Sequence, residues 1–392
     1  MRKFALFASL FAWCFLLGNE EVPIDISLLE KREINGEEIF FLKDKQVPYS
    51  GTSLGICEDC EVKAEIGWKD GRKEGMSTHW YNNGQKSSEV NYKDGEKEGF
   101  GTCWHENGKK SSETTYLEGK QHGLSTWWFE NGKKKIETTY KQGKEDGLQT
   151  SWYENGQKKK ESNLKNGKLD GLRMGWYENG EIKSEANWKD HKQHGITIFW
   201  HENGVKKSET NWKDDKQHGL RTEWYENGNV RFKCIFKNHK KEGLETQWHE
   251  NGQKKAEINW KDGQHDGLET WWHENGQKDT EINWQDGKQE GLNTRWHENG
   301  QKKAEFNYKN GKYEGLNTRW YENGQKYEKV NLKDGVPHGQ IISWHENGQK
   351  KLEGNFKEGK KHGVSVYYDK NGKEIVRQNW QDDVLVFEKK AP

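Results

Sequence analysis

Proline is nearly missing from this chain: four in 392 residues, beside three methionines and five cysteines. With so few prolines, and none expected inside a regular strand, long uninterrupted strands are permitted. Five cysteines are too few for a disulfide-built scaffold. Neither charge sign dominates, because 64 Lys plus Arg face 64 Asp plus Glu. Both signs interleave throughout, as in residues 253–257. This removes the broad basic field that a nucleic-acid binder uses, so no nucleic-acid partner is expected. Only 30% of residues are hydrophobic and the mean hydropathy is −1.31. Such values usually signal disorder.

What is present argues against disorder. There are 21 tryptophans, and almost all recur in phase. A turn glycine stands at 84, 108, 132, 156, 180, 204, 228, 252, 276, 300, 324, 348 and 372, always 24 residues apart. Four residues before it stands Trp80, Trp104, Trp128, Trp152, Trp176, Trp200, Trp224, Trp248, Trp272, Trp296, Trp320, Trp344 or, last, Tyr368. A second glycine, nine before the first, runs from Gly75 to Gly363. A fixed period of this length is the signature of a repeat array.

Within one unit, Leu268, Thr270 and Trp272 share one parity, and Thr280, Ile282 and Trp284 share another beyond the turn. Period 2 rich in Trp, Thr and Ile predicts two half-buried strands joined by a hairpin. A glycine at least every twelve residues disfavours helix. A two-residue Asn-Gly loop would set the two apolar series on opposite faces. A three-residue loop, Glu274-Asn275-Gly276 with a left-handed glycine, pairs Leu268 with Ile282 and Thr270 with Thr280. All the apolar residues then share one face. The expected fold is all-β, an elongated single-layer antiparallel meander of tandem 24-residue hairpins. The twelve tryptophans form a structural ladder along it, with Trp260, Trp284 and Tyr308 on the intervening strands.

In chain order, residues 1–18 read as a signal peptide: Arg2 and Lys3 precede an apolar run from Phe4 to Leu17, short for a membrane span. The expected localisation is extracytoplasmic. Residues 19–74 read as an N-terminal cap of degenerate repeats, including a strand over residues 39–42. Thirteen tandem units occupy 75–380, and residues 381–392 form a capping strand and tail. The Asp-Gly between units is replaced at His191, Asp215 and His239, and Phe232, Cys234 and Phe236 mark the most divergent unit.

Candidate chemistry is sparse. Cys57 and Cys60 form C-x-x-C at a hairpin tip and suit a local disulfide better than a redox or zinc site. Cys103 and Cys234, more than five units apart, are not expected to pair. Histidines recur in two positions, as at His194 and His201 or His338 and His345. Tyr81, Tyr153, Glu74 and Asp146 take the same places elsewhere, an exchange that a metal site would not tolerate. No nucleophile set, paired carboxylates or phosphate loop appears, so neither enzyme activity nor a cofactor is expected. Trp127 and Trp271 fall on the opposite parity from the ladder and are the binding-surface candidates.

The unit carried by residues 147–171, with Trp152-Tyr153-Glu154-Asn155-Gly156-Gln157, resembles the bacterial variant of the MORN repeat found in YwqK-type antitoxins. Pro48-Tyr49-Ser50-Gly51 is similar to the usual entry into the first unit. The resemblance covers most of the chain. It implies a hairpin-repeat sheet and a protein-binding scaffold that neutralises a toxin; with the signal segment, an exported array would meet an envelope protein instead. It also implies membrane-phospholipid association as an alternative. Tandem Trp-then-Asn-Gly hairpins also resemble choline-binding cell-wall repeats, where clustered aromatics hold quaternary ammonium groups, so a glycan or wall polymer is a further possible partner.

Overall fold

The computed structural model describes residues 22–56 and 62–390. The proposed signal segment and the Cys57–Cys60 pair lie outside them. The chain divides into two compact units, Met1–Ile182 with Trp188–His191, and Lys183–Asn187 with Lys192–Pro392. Both are built mainly from antiparallel strands paired with their neighbours in sequence; in the first, Ile24–Asp25 pairs in parallel with Gly51–Ile56. A single turn of 3-10 helix, Ile26–Leu28, is the only helical element among the described residues.

From Tyr81 to Asp369 the tip of each repeated hairpin has the predicted three-residue loop. His273 N–H donates to the Gln277 carbonyl and Gly276 N–H to the His273 carbonyl, both at 2.9 Å. Gly276 sits at φ +83°, which glycine adopts without steric cost. Between hairpins the turn is different. Asp262 and Gly263 are both left-handed, at +51° and +84°, and close a two-residue turn between Lys261 and Gln264. His191, Asp215 and His239 hold the same left-handed conformation at +68°, +65° and +69°. Each accepts a bond that offsets the strain: Gln193 N–H donates to Asp215 Oδ1 at 2.7 Å, and Leu169 and Gln217 N–H to the Nδ1 of His191 and His239.

Beyond the tip the register departs from expectation. Trp272 pairs with Lys278, but Trp271 pairs with Thr280, Thr270 with Glu281, Glu269 with Ile282 and Gly267 with Trp284. Asp279 is an extra residue, a β-bulge three positions past the loop. A shift of one residue exchanges every side chain between the faces of a strand. Leu268, Thr270 and Trp272 therefore share a face with Glu281 and Asn283, while Ile282 and Trp284 share the other with Glu269 and Trp271. The expected single apolar face is not formed. The same shift recurs at Trp128, Trp200, Trp248 and Trp320.

The bulge splits the tryptophans into two rows. On one face a lysine of the preceding hairpin lies over eight rings of the Trp272 series, as with Lys254 over Trp272 at 5.8 Å and Lys278 over Trp296 at 5.6 Å; before Trp80, Trp200 and Trp248 that place is taken by Val62, Ile182 and Val230. That lysine also pairs with a glutamate three residues on, Lys254 with Glu257 at 2.6 Å. Those eight tryptophans of the series are thus interleaved with cations rather than stacked. On the other face Trp284 pairs across from Gly267, whose bare backbone it covers. There His265 lies between Trp260 and Trp284, with ring centroids 4.1 and 4.8 Å away. Most of the buried apolar residues, among them Ile66, Trp68, Cys234, Phe236, Ala256, Ile258 and Phe306, belong to this second face. We call it the inner face.

Successive hairpins are fastened by their turns. Asn251 Nδ2 donates to the Glu274 carbonyl of the next tip at 3.0 Å, and Asn275 Oδ1 accepts from Gln277 N–H within its own. His249 Nε2 lies 3.0 Å from the Trp272 carbonyl, and Tyr225 Oη donates to that of Trp248 at 2.8 Å. At the second histidine position the side chain accepts instead, from Asp262 N–H at Glu242 and from Glu358 N–H at His338. Histidine exchanges with tyrosine at one position and with acids at the other because each pair shares a hydrogen-bonding role.

At the N-terminus Leu29–Ile34 and Glu37–Leu42 form a separate hairpin through an Asn35-Gly36 turn. Phe40 N–H donates to the Gly71 carbonyl, and its ring meets Trp68 at 4.6 Å. The strands Gly51–Ile56 and Val62–Lys69 already carry the array's shifted register. At the other end Val384–Lys390 closes on Glu374–Gln381. One proline does enter a regular strand, contrary to expectation: Pro337 in Val336–Trp344. The equivalent N–H groups of Leu169, Gln193 and Lys361 go to side chains and not to the strand ladder, so proline forfeits no ladder bond there.

Candidate functional site

The inner face is where side chains gather. Bulge residues at the Asp279 position crowd against the position of Trp271 and leave cavities between successive hairpins. In the first unit a cavity of about 300 Å³ is lined by Trp127, Lys135, Ile136, Thr138, Tyr140, Glu145 and Gln149. In the second unit one of about 510 Å³ is lined by Trp271 and Trp272 with His249, His273, Lys255, Glu274, Asn275, Asp279 and Glu298. The two tryptophans singled out by parity therefore stand at cavity walls. The Trp271 indole N–H donates to Glu269 at 2.5 Å.

A third cavity, of about 340 Å³, lies in the divergent unit between Arg221, Glu223, Tyr225, Arg231, Phe232, Phe236, Lys241, Gln247, Trp248 and Lys255. Beside it Glu245 is 1% exposed and is held by Lys241 Nζ at 2.6 Å. One unit on, buried Glu269 meets His265 Nδ1 at 2.9 Å. These inward charges were missed in the sequence because unbroken parity puts Glu245 and Glu269 on the solvent side. Most units have Ser, Thr, Asn or Gly at that position, and only knowledge of the bulge makes Arg221, Glu245 and Glu269 stand out.

Burial pushes the Cys234 thiol up to about 11, with the nearby Glu245 carboxylate adding to the rise. Cys103 and Cys234 are both free. Among the described residues no three His, Cys, Asp or Glu side chains gather as metal ligands, and no helix is long and apolar enough to cross a membrane. What the face presents is aromatic surface with fixed charges, a surface suited to binding.

Compared with models of protein families, eleven segments match the MORN repeat variant: residues 73–94, 121–142, 145–166, 169–190, 193–214, 217–238, 241–262, 266–286, 289–310, 313–334 and 337–358. Together they make up more than half of the chain. The chain belongs to the MORN repeat variant family. Most matched MORN segments run from just after one inter-hairpin turn to the first residue of the next, so each holds one bulged hairpin. Residues 97–118 carry the same register without matching. No curated protein matches. Among solved structures, the crystal structure of TcdB2-TccC3-Cdc42 aligns at 10% identity over 90% of this chain and 23% of that one, with a TM-score of 0.16. That of TcdB2-TccC3 aligns at 11% identity over 86% and 21%, also at 0.16. The MORN chain thus spans under a quarter of those chains, and so low a score carries no argument about fold or function.

Proposed function

We propose that this MORN array is a non-enzymatic, exported protein-binding scaffold, whose partner is a toxin that it neutralises or an envelope protein. The observation that carries the reading lies on the outer face. Leu244, Leu268, Leu292 and Leu316 occupy equivalent positions in successive hairpins and remain 43–48% exposed. Strand spacing sets them roughly 10 Å apart. Single exposed leucines are ordinary, whereas a row of them is the kind of apolar patch that marks a protein interface. The Trp272 series and its lysines flank the row and supply a polar, aromatic margin of the sort that interfaces favour.

Crosslinking and pull-down with the tagged full-length chain, from envelope and cytosol fractions of the native host, tests this. A defined partner in the envelope fraction, lost when Leu244, Leu268, Leu292 and Leu316 are all changed to serine, is the expected result. Retention of that partner by the variant would remove the row from the interface. The second reading is an envelope module that binds phospholipid or glycan, supported by the aromatic cavity walls at Trp127 and Trp271. Co-sedimentation with liposomes or wall polymer, abolished by Trp271→Ala, would favour it.

A further inference from the structure

We propose that the cavity between Arg221, Phe232 and Lys255 binds a small organic anion: a carboxylate or phosphate joined to a planar apolar group. The chain as a whole is neutral, but this cavity is not. Arg221 and Arg231 share one carboxylate, Glu223, at 2.6 and 3.8 Å. Lys241 is neutralised by Glu245. Lys255 forms no ion pair among the described residues and adds a second positive charge, which it shares with the neighbouring cavity. The other two cavities differ: one sets a single lysine against a single glutamate, and the other has the same Lys255 as its one lysine and sets it among Glu274, Asp279 and Glu298.

A second observation is independent of the charge count. The Arg221 Nε–H is buried and has no hydrogen-bond partner among the described residues. Leaving a charged donor unpaired in such a place is costly, and an anionic oxygen would satisfy it. The rings of Phe232, Phe236 and Trp248 supply the apolar walls. Lys241 lies over Phe232 at 5.7 Å and over Trp260 at 4.4 Å, so these rings and Glu245 hold it in place. A volume of about 340 Å³ suits a ligand of one ring and one anionic group. A bare inorganic anion would leave the rings unused, and a neutral aromatic would leave Arg221 unpaired.

The test is isothermal titration of the full-length chain with phenyl phosphate and benzoate, with inorganic phosphate and benzyl alcohol as half-ligands. Saturable binding of phenyl phosphate or benzoate is expected, with both half-ligands at least about tenfold weaker. Arg221→Gln and Lys255→Gln should each weaken binding by roughly tenfold, and Lys135→Gln in the first unit should leave it unchanged. Lys255 is half-exposed and unpaired, so its variant keeps the test sound if Arg221→Gln disturbs folding. Absence of saturable binding overturns the proposal. So does equal binding by the Lys255→Gln and Lys135→Gln chains, or inorganic phosphate binding as tightly as phenyl phosphate.

Discussion

Two stretches of inner face, one in each unit, share a backbone and differ in what they bury. Across Lys120–Trp128 and Lys134–Lys141 the fully buried positions hold Ser125 and Thr138. Across Val230–Lys237, Lys240–Trp248 and Lys254–Lys261 they hold Cys234, Glu245, Ala256 and Ile258. The pairing and the bulge are the same in both. Turns, bulges and tip-to-tip hydrogen bonds therefore define the hairpin, and the inner face is free to take hydroxyls in one place and a carboxylate in another. The freedom has a condition: a carboxylate so buried must keep a cation.

The sharpest break in this comparison is at the aromatic row of the second stretch. Trp260 pairs across from Gly243 and contacts both Lys241 and His265. Trp260→Ala should cost about 3 kcal/mol, read as faster hydrogen exchange in the neighbouring hairpins while distant ones stay protected. Uniform loss of protection along the chain would contradict local stabilisation. Next is the buried carboxylate. Glu245→Ala strands Lys241, whose side chain is one-third exposed, so the cost is about 2–3 kcal/mol. Replacing the pair together, Lys241→Met with Glu245→Leu, should recover most of it. In the first stretch Ser125→Ala should change stability by less than about 0.5 kcal/mol, because its buried hydroxyl has no partner among the described residues. Equal costs at Ser125 and Glu245 would erase the distinction between the stretches.

Backbone changes should be smaller than those at Trp260 and Glu245 and alike in both stretches. Gly267 stands at φ +103°, and an added Cβ would meet that of Asn259 at 3.3 Å. Gly267→Ala should cost about 1–2 kcal/mol in urea unfolding. Gly263→Asp should cost no more than about 1 kcal/mol, since Asp215 and Asp383 hold the same conformation. The smallest effect concerns the thiols. Because the folded chain holds the Cys234 proton from the ordinary thiol range up to about 11, that contribution is intact below the ordinary value and is lost as pH rises through this window. At mildly alkaline pH a thiol reagent, mapped residue by residue, should label Cys103 well before Cys234. Equal rates would refute the protection of Cys234.

The period, the strands, the three-residue tip and its left-handed glycine were legible in the sequence, because each depends on residues within a few positions of one another. Trp127 and Trp271 could be picked out for the same reason, as breaks in a local alternation. The two-face arrangement was not legible. Nothing in Lys278-Asp279-Thr280 announces that Asp279 will be extruded, and that one residue moves Leu268 into solvent and Glu269 inward. Pro337 was misjudged likewise, since whether an N–H belongs to the ladder depends on the neighbouring strand.

The amino-acid sequence by itself determined that this protein is a MORN array of hairpins, because glycine conformation, turn chemistry and period 2 act locally. Only the tertiary structure decided which tryptophans meet lysine and which cover glycine, where carboxylates are buried, and where charge and aromatic surface converge. Those depend on register between strands, and register is set by the joint packing of both strands around the bulge.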